Sequence, residues 1–296
     1  MGAADIVPGV SGGTVAFITG IYERLLQALK AILPAFIDLI KSRQWFVFWR
    51  AVDGAFLLTL FSGILISVVS LARIITYLLL QHPIPLWAAF FGLILASVYV
   101  IGREITQWSF RLFLLTLLGV VIALFITHMT PAGLEANKLT AFFSGVLAIC
   151  AMVLPGISGS FILVILGTYS FILMAIKELD FIVLGVFVSG CLIGLLSIAN
   201  VLVWAFSRYK NLTLAVLTGF MVGALSKVWP WKTVISFRED RHGQRVPLVE
   251  ENILPGTYEM LTGFSSQLML ATFCAILAAT LVISLAHFAG EDKSKM

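Results

Sequence analysis

Charge is what these 296 residues have least of: 11% are Asp, Glu, Lys or Arg, against roughly 25% in a soluble domain. With a hydrophobic fraction of 60% and a mean hydropathy of +1.05, that scarcity excludes a chain that buries one core and wets the rest. Alternation is missing too. The apolar runs are continuous, without the in-and-out pattern of barrel strands of roughly 10 residues, so the expectation is an all-α polytopic membrane protein whose spans satisfy their own backbone. Cysteine is limited to Cys150, Cys191 and Cys274, each inside an apolar segment and none at a metal or redox spacing. His82, His128, His242 and His287 are scattered without clustered carboxylates, so no metal and no other cofactor is expected. The same scatter argues against an intramembrane lipid-modifying enzyme such as a phosphatase, which wants a nucleophilic His beside a second His, a carboxylate and clustered cations. A charged n-region leading into a short apolar h-region, the mark of a cleavable signal, is also wanting at the N-terminus.

What is present is membrane-spanning length. Full spans are expected near 54–80, 84–101, 110–127, 181–206, 211–228 and 267–288, since about 20 apolar residues cross a hydrocarbon core of roughly 30 Å. Two further apolar regions, 8–38 and 139–176, are interrupted by Pro-Gly and Ser-Gly sequences. A continuous lipid-facing helix disfavours such breaks, and both regions read as re-entrant hairpins. Trp45, Trp49, Trp87, Trp108, Trp229 and Trp231 fall near span ends, where aromatic belts anchor a protein in its bilayer lipids. The net charge of +4 sits mainly in short loops, an orientation signal that calls for no nucleic acid partner.

The breaks recur. Pro8-Gly9-Val10-Ser11-Gly12-Gly13 is matched by Pro155-Gly156-Ile157-Ser158-Gly159-Ser160, 147 residues further on, and Gly20-Ile21-Tyr22 by Gly167-Thr168-Tyr169 at the same spacing. Ser62-Gly63 and Ser70-Leu71-Ala72 then match Ser189-Gly190 and Ser197-Ile198-Ala199, and Gly92 matches Gly219, all at a spacing of 127. An insertion of about 20 residues in the first half, around Lys41 to Asp53, accounts for the change.

The chain therefore divides as a single membrane domain over 1–296, with repeat one at 1–130, repeat two at 139–290 and a polar external loop at about 230–266. Each repeat is a re-entrant helical hairpin followed by three transmembrane helices. A hairpin returns to its own side and three crossings do not, so the second half starts from the opposite face. This is the inverted-topology architecture of many secondary transporters; were both broken regions full crossings, the repeats would be parallel. Eleven Lys and Arg lie on the side of both termini and seven on the other, which puts the termini in the cytoplasm. The second motif follows a half-helix, 139–154, whereas seven residues precede Pro8. A counterpart helix upstream of Met1 is one reading of that mismatch, and real asymmetry is the other.

A Pro-Gly-Val-Ser-Gly-Gly break frees backbone N–H groups and aims the positive end of the following helix at the gap. Glycines let an oxyanion approach, and Ser11 and Ser158 add hydroxyl donors, an arrangement suited to phosphate or carboxylate. Gly9, Ser11, Gly12 and Gly13 from one break, and Gly156, Ser158, Gly159 and Ser160 from the other, are the candidate binding residues, with Pro8 and Pro155 shaping the hairpins. The competing reading is that these small residues merely let helices pack closely. Arg73, inside the first full span, either supplies a fixed positive charge to an anion or snorkels to the interface. Asp5 and Glu23 flank the first hairpin and are the candidate carriers of a coupling ion, proton or sodium; a solvated hairpin end is the alternative for Glu23.

Residues Ala4-Asp5-Ile6-Val7-Pro8-Gly9-Val10-Ser11-Gly12-Gly13-Thr14 and Leu154-Pro155-Gly156-Ile157-Ser158-Gly159-Ser160 resemble the twin motifs of the bacterial PopT-type polyprenyl-phosphate transporter family, and the resemblance extends over essentially the whole chain. It implies a flippase that carries undecaprenyl phosphate across the bacterial cytoplasmic (inner) membrane, recycling the carrier lipid for cell-envelope glycan synthesis. The family's motif falls on Asp5, Pro8, Gly9, Ser11, Gly12 and Gly13, and on Pro155, Gly156, Ser158 and Gly159. The partner implied is a polyprenyl phosphate lipid, and an oligomer is compatible with this class. A channel or transporter for a small soluble anion is the rival, since broken helices serve that task equally well.

Overall fold

A computed structural model describes residues 1–5, 11–129, 135, 137–239 and 245–294. The protein is a helical, multi-pass membrane protein. All six expected spans are helices: α5 (Gly54–Gln81), α6 (Pro83–Glu104), α7 (Phe110–His128), the two limbs of α11 (Phe181–Ala224) and α13 (Leu268–Ser294). At about 1.5 Å per residue, the 44 residues of α11 are far too long for one crossing. Its helical dihedrals fail at Tyr209 (φ −139°, ψ 50°), and that kink separates the spans expected at 181–206 and 211–228. Large apolar side chains such as Phe61, Leu65, Val69, Phe113, Phe125 and Phe273 stand exposed along these helices, as lipid-facing residues must.

Around the spans lie shorter pieces: α1 (Gly2–Asp5), α2 (Gly12–Ile18), α3 (Tyr22–Ser42), α4 (Trp45–Ala51), α8 (Lys138–Val153), α9 (Gly159–Ile165) and α10 (Tyr169–Glu178). Their bounds keep the sequence spacing. The first residues of α9 and α10 lie 147 positions beyond those of α2 and α3, and Gly20 and Gly167, in the turns between, both take the left-handed conformation (φ 71° and 75°). Asp180, which caps α11 by accepting the Ile182 and Val183 N–H groups, lies 127 positions beyond Asp53, which precedes α5. The Tyr209 kink stands 127 beyond His82, where α5 gives way to α6. The insertion is the longer α3, 21 residues against 10 in α10, together with α4. α4 keeps Trp45, Phe46 and Val47 exposed, with Arg50 over the Phe46 ring at 4.3 Å.

Close helix contacts fall on glycine. A Cβ on Gly92 of α6 would overlap the Ala275 carbonyl of α13, and one on Gly219 of α11 would overlap the Thr116 carbonyl of α7. Gly92 and Gly219, matched in the sequence at a spacing of 127, thus both serve as points of close approach to a neighbouring helix. Gly190 likewise backs onto the Phe142 carbonyl of α8, whereas its match Gly63 has nothing within 4 Å among the described residues.

The polar loop at 230–266 departs from expectation. It contains an antiparallel hairpin of β1 (Lys232–Glu239) and β2 (Arg245–Asn252), then α12 (Pro255–Thr262). Trp231 is 7% exposed, and its indole N–H donates to the Ser266 carbonyl at 2.9 Å. Trp229 does the same to the Ile253 carbonyl at 2.8 Å. These two tryptophans hold the loop onto the helices; Trp231 is no belt residue. The run Val234-Ile235-Ser236-Phe237 carries the β-branched and aromatic composition of a strand, but a loop bounded by spans hides it.

Candidate functional site

The two broken segments lie against each other. α8 stops at Val153, leaving its last carbonyls without partners in the helix. The first hairpin supplies them. Ser11 Oγ lies 3.0 Å from the Met152 carbonyl oxygen and 3.3 Å from that of Leu154, directing its one proton between them. Tyr22 donates its hydroxyl to the Val153 carbonyl at 3.1 Å. In the opposite direction, the Gly156 N–H donates to Thr14 Oγ1 at 3.1 Å. Ser11 and Thr14 are each 1% exposed, so these bonds satisfy groups that water cannot reach. An irregular backbone at membrane depth is tolerated on that condition.

Gly156 has no substitute. Its φ is +89°, a region that costs any side chain, and a Cβ there would stand 3.0 Å from the backbone of Phe220 and Met221. Gly13 and Gly159 serve close packing: a Cβ would come 2.6 Å from the Val153 carbonyl in one case and 2.6 Å from the Ala148 carbonyl in the other. For these two the packing reading of small residues describes the structure. Gly12 and Pro155 are buried beside them.

The two serines differ. Ser11 caps α2 by accepting the Gly13 N–H at 3.1 Å, and with its carbonyl bonds it is fully engaged in joining the motifs. Ser158 makes no cap bond to α9; its Oγ sits 2.9 Å from Ser160 Oγ. Ser160 is exposed. Gly156, Ile157 and Ser158 line a cavity of about 10 Å³ with Ala123, Thr127 and Lys227, room for one water at most. Thr127 and Lys227 also wall a larger vestibule of about 410 Å³, bordered by His128, Lys232, Glu250, Glu251 and Asn252.

Lys232 is held on three sides. Its ammonium donates to the Lys227 carbonyl at 2.7 Å and to Glu250 at 3.4 Å, and lies 4.5 Å from the Trp87 ring centre. Burial pushes its pKa below the ordinary lysine value, against the pull of Glu250.

The other sequence candidates are dispersed. Arg73 is exposed on α5, a helix that buries only Gly54 and Ile75, and it lines neither cavity at the second break. The structure does not bring it to the motifs; the outward placement is that of a snorkelling side chain. Glu23 borders a separate cavity of about 120 Å³ with Gln27, Phe206 and Ser207 and pairs with Lys210 at 3.1 Å. Pro8 and Gly9 lie outside the described residues, as does the side chain of Asp5, which ends α1.

Thr14, Tyr22 and Lys227 escaped sequence reasoning. Tyr22 belongs to the repeated Gly-x-Tyr, a signal that was legible, and it anchors a cluster with Phe17 and Phe206 at centroid distances of 5.0 and 6.0 Å. Thr14 has Phe161 as its repeat match, so the alignment carried no hint. Lys227 ends an apolar run, where a cation reads as an interface marker.

Comparison with known proteins adds a family. Residues 1–246 match the family described as undecaprenyl phosphate translocase-like. A protein of Vibrio cholerae named polyprenyl-phosphate transporter is 46% identical over 289 residues, spanning 98% of this chain and 94% of the relative. One of the same name from Staphylococcus aureus is 33% identical over 248 residues, 78% of this chain and 83% of the relative. No solved structure matches.

Proposed function

The chain belongs to the undecaprenyl phosphate translocase-like family, and from that premise we propose that it moves a polyprenyl phosphate, undecaprenyl phosphate in the first instance, between the leaflets of the bacterial cytoplasmic membrane. The observation that carries this reading is the interlock of the two breaks, Ser11 with Met152 and Leu154, and Thr14 with Gly156. It supports a single site built from both halves of the chain, inside a bundle whose outside is apolar.

The substrate's physics fits such a site. A phosphate monoester carries about −1.5 to −2 charge near neutral pH and needs polar shielding through hydrocarbon. The prenyl tail needs none and stays in lipid. In this reading the headgroup passes at the hairpin tips, with Gly156 and Ser158 in contact, while one half rocks against the other in inverted-repeat fashion. The cavity of about 10 Å³ at Ser158 is too small for a phosphate, which fits a closed state between two open ones. Both termini lie in the cytoplasm, the β-hairpin lies outside, the lipid is recycled for envelope glycan synthesis, and an ion coupled through Glu23 supplies direction. Catalysis of a bond change is no part of the proposal.

The test is substrate selection in proteoliposomes. Labelled undecaprenyl phosphate is expected to change leaflets, and excess inorganic phosphate to compete weakly, because the soluble ion lacks the tail that delivers the headgroup. Rapid uptake of inorganic phosphate with no lipid movement would overturn the reading in favour of a soluble-anion transporter.

A further inference from the structure

Lys227 stands where the vestibule meets the second break. It lines both the small cavity with Gly156, Ile157 and Ser158 and the larger one beneath the β-hairpin. It is half-buried, and its ammonium lies 4.8 Å from the centre of the Phe161 ring, three residues beyond Ser158. A ring face is a weak resting place for a cation compared with a doubly charged oxyanion.

Among the described residues, the neighbouring charges leave this ammonium as the one suited to an incoming anion. Lys232 is engaged by the Lys227 carbonyl and by Glu250. Glu251 is exposed on the same vestibule, where water screens it. His128 is exposed as well, and Thr127 adds a half-buried hydroxyl, although that group already donates to the Ala123 carbonyl at 2.7 Å.

We propose that Lys227 is the phosphate-receiving cation of the face that carries the β-hairpin: it leaves the Phe161 ring to pair with the lipid headgroup in the vestibule and leads it to Ser158. This rests on the transport reading above. It gives the site the positive charge that Arg73, on the outside of α5, does not bring to it. The four-carbon stem suits the task, because it lets a point charge follow the headgroup across the constriction.

The experiment measures the half-saturating concentration of undecaprenyl phosphate in proteoliposomes for the natural chain, Lys227→Met, Lys227→Gln and Lys227→Arg. Methionine keeps the apolar stem against Phe161 and removes only the charge, so a merely structural lysine predicts little change. The expected result is a rise of about tenfold or more in both neutral variants, the loss typical of one charge-assisted contact, with Lys227→Arg within about threefold of the natural chain. Transport by Lys227→Met equal to that of the natural chain overturns the inference while leaving the transporter reading intact; a loss in Lys227→Arg as deep as in Lys227→Met overturns it as well. Failure of the natural chain to move the lipid removes both. A second measurement needs no variant: undecaprenyl phosphate added to the natural protein is expected to protect Lys227 from an amine-reactive reagent, undecaprenol is not, and equal labelling in the two cases contradicts the proposal.

Discussion

Thr14 and Gly156, 142 residues apart in the chain, are joined by a hydrogen bond in which the threonine hydroxyl oxygen accepts the glycine N–H at 3.1 Å. Thr14 is 1% exposed, so no water stands ready to replace it. Thr14→Val keeps the shape and removes the acceptor, leaving a backbone donor unpaired at a cost of about 1–3 kcal/mol. Unfolding in detergent is expected to show that loss for Thr14→Val and a smaller one for Thr14→Ser. Equal stability of Thr14→Val and the natural chain would mean that the two breaks are not coupled through this bond.

Gly63 and Gly190 occupy matched places in the two halves and predict opposite outcomes. A Cβ on Gly190 would overlap the Phe142 carbonyl, whereas one on Gly63 meets nothing within 4 Å among the described residues. Gly190→Ala must push α8 from α11 and is expected to cost about 1–3 kcal/mol. Gly63→Ala is expected within about 0.5 kcal/mol of neutral. Thermal inactivation half-lives of the two variants in the same detergent give the comparison.

Outside the spans, Glu259 accepts both the N–H and the hydroxyl of Ser266, at 2.8 and 2.6 Å. These bonds favour the carboxylate and hold its pKa below the ordinary value. The unfolded loop therefore binds more protons than the folded one between the two pKa values, and stability rises with pH there. The contribution is present in full above the ordinary glutamate range of about 4.3 and is lost as pH falls through the lower folded value. Hydrogen exchange at the Ser266 amide should be slower in the natural chain than in Glu259→Gln at pH 7, and that gap should close on acidification.

Glu23 and Lys210 form a pair 3.1 Å apart with about half of each side chain exposed, 50% and 53%. Such a pair contributes under about 1 kcal/mol, so Glu23→Gln is expected to leave the unfolding transition nearly unchanged. As the proposed ion carrier, its loss should show in transport: the variant is expected to move lipid without responding to an imposed pH or sodium gradient. A gradient response retained in Glu23→Gln would remove this residue from the coupling step.

The spans were legible because each is a local fact, an apolar run of sufficient length. In the structure Gly20 and Gly167 keep the 147-residue spacing of the two motifs, and Asp53 with Asp180 and His82 with Tyr209 keep the later spacing of 127. What pattern reading missed depends on approach across the fold. Nothing near Ser11 in sequence tells that its hydroxyl meets the carbonyls of Met152 and Leu154, so a latch between motifs reads as a free phosphate donor. Gly13 and Gly159 read as ligand contacts for the same reason, and their space is taken by the Val153 and Ala148 carbonyls. Arg73 illustrates the converse: a cation inside an apolar span attracts a functional reading, yet the face it occupies is decided by packing, and α5 packs little of its length.

If the interlocked breaks carry a lipid phosphate across the bilayer, the initial rate of leaflet exchange of labelled undecaprenyl phosphate reports it most directly. It is compared among protein-free liposomes, liposomes with the natural chain, and liposomes with Ser158→Ala, which deletes the cavity-lining hydroxyl 2.9 Å from Ser160. Fast exchange is expected with the natural chain and a rate lower by about tenfold in the variant, one lost hydrogen bond to a charged group. Exchange with the natural chain no faster than in protein-free liposomes would contradict it.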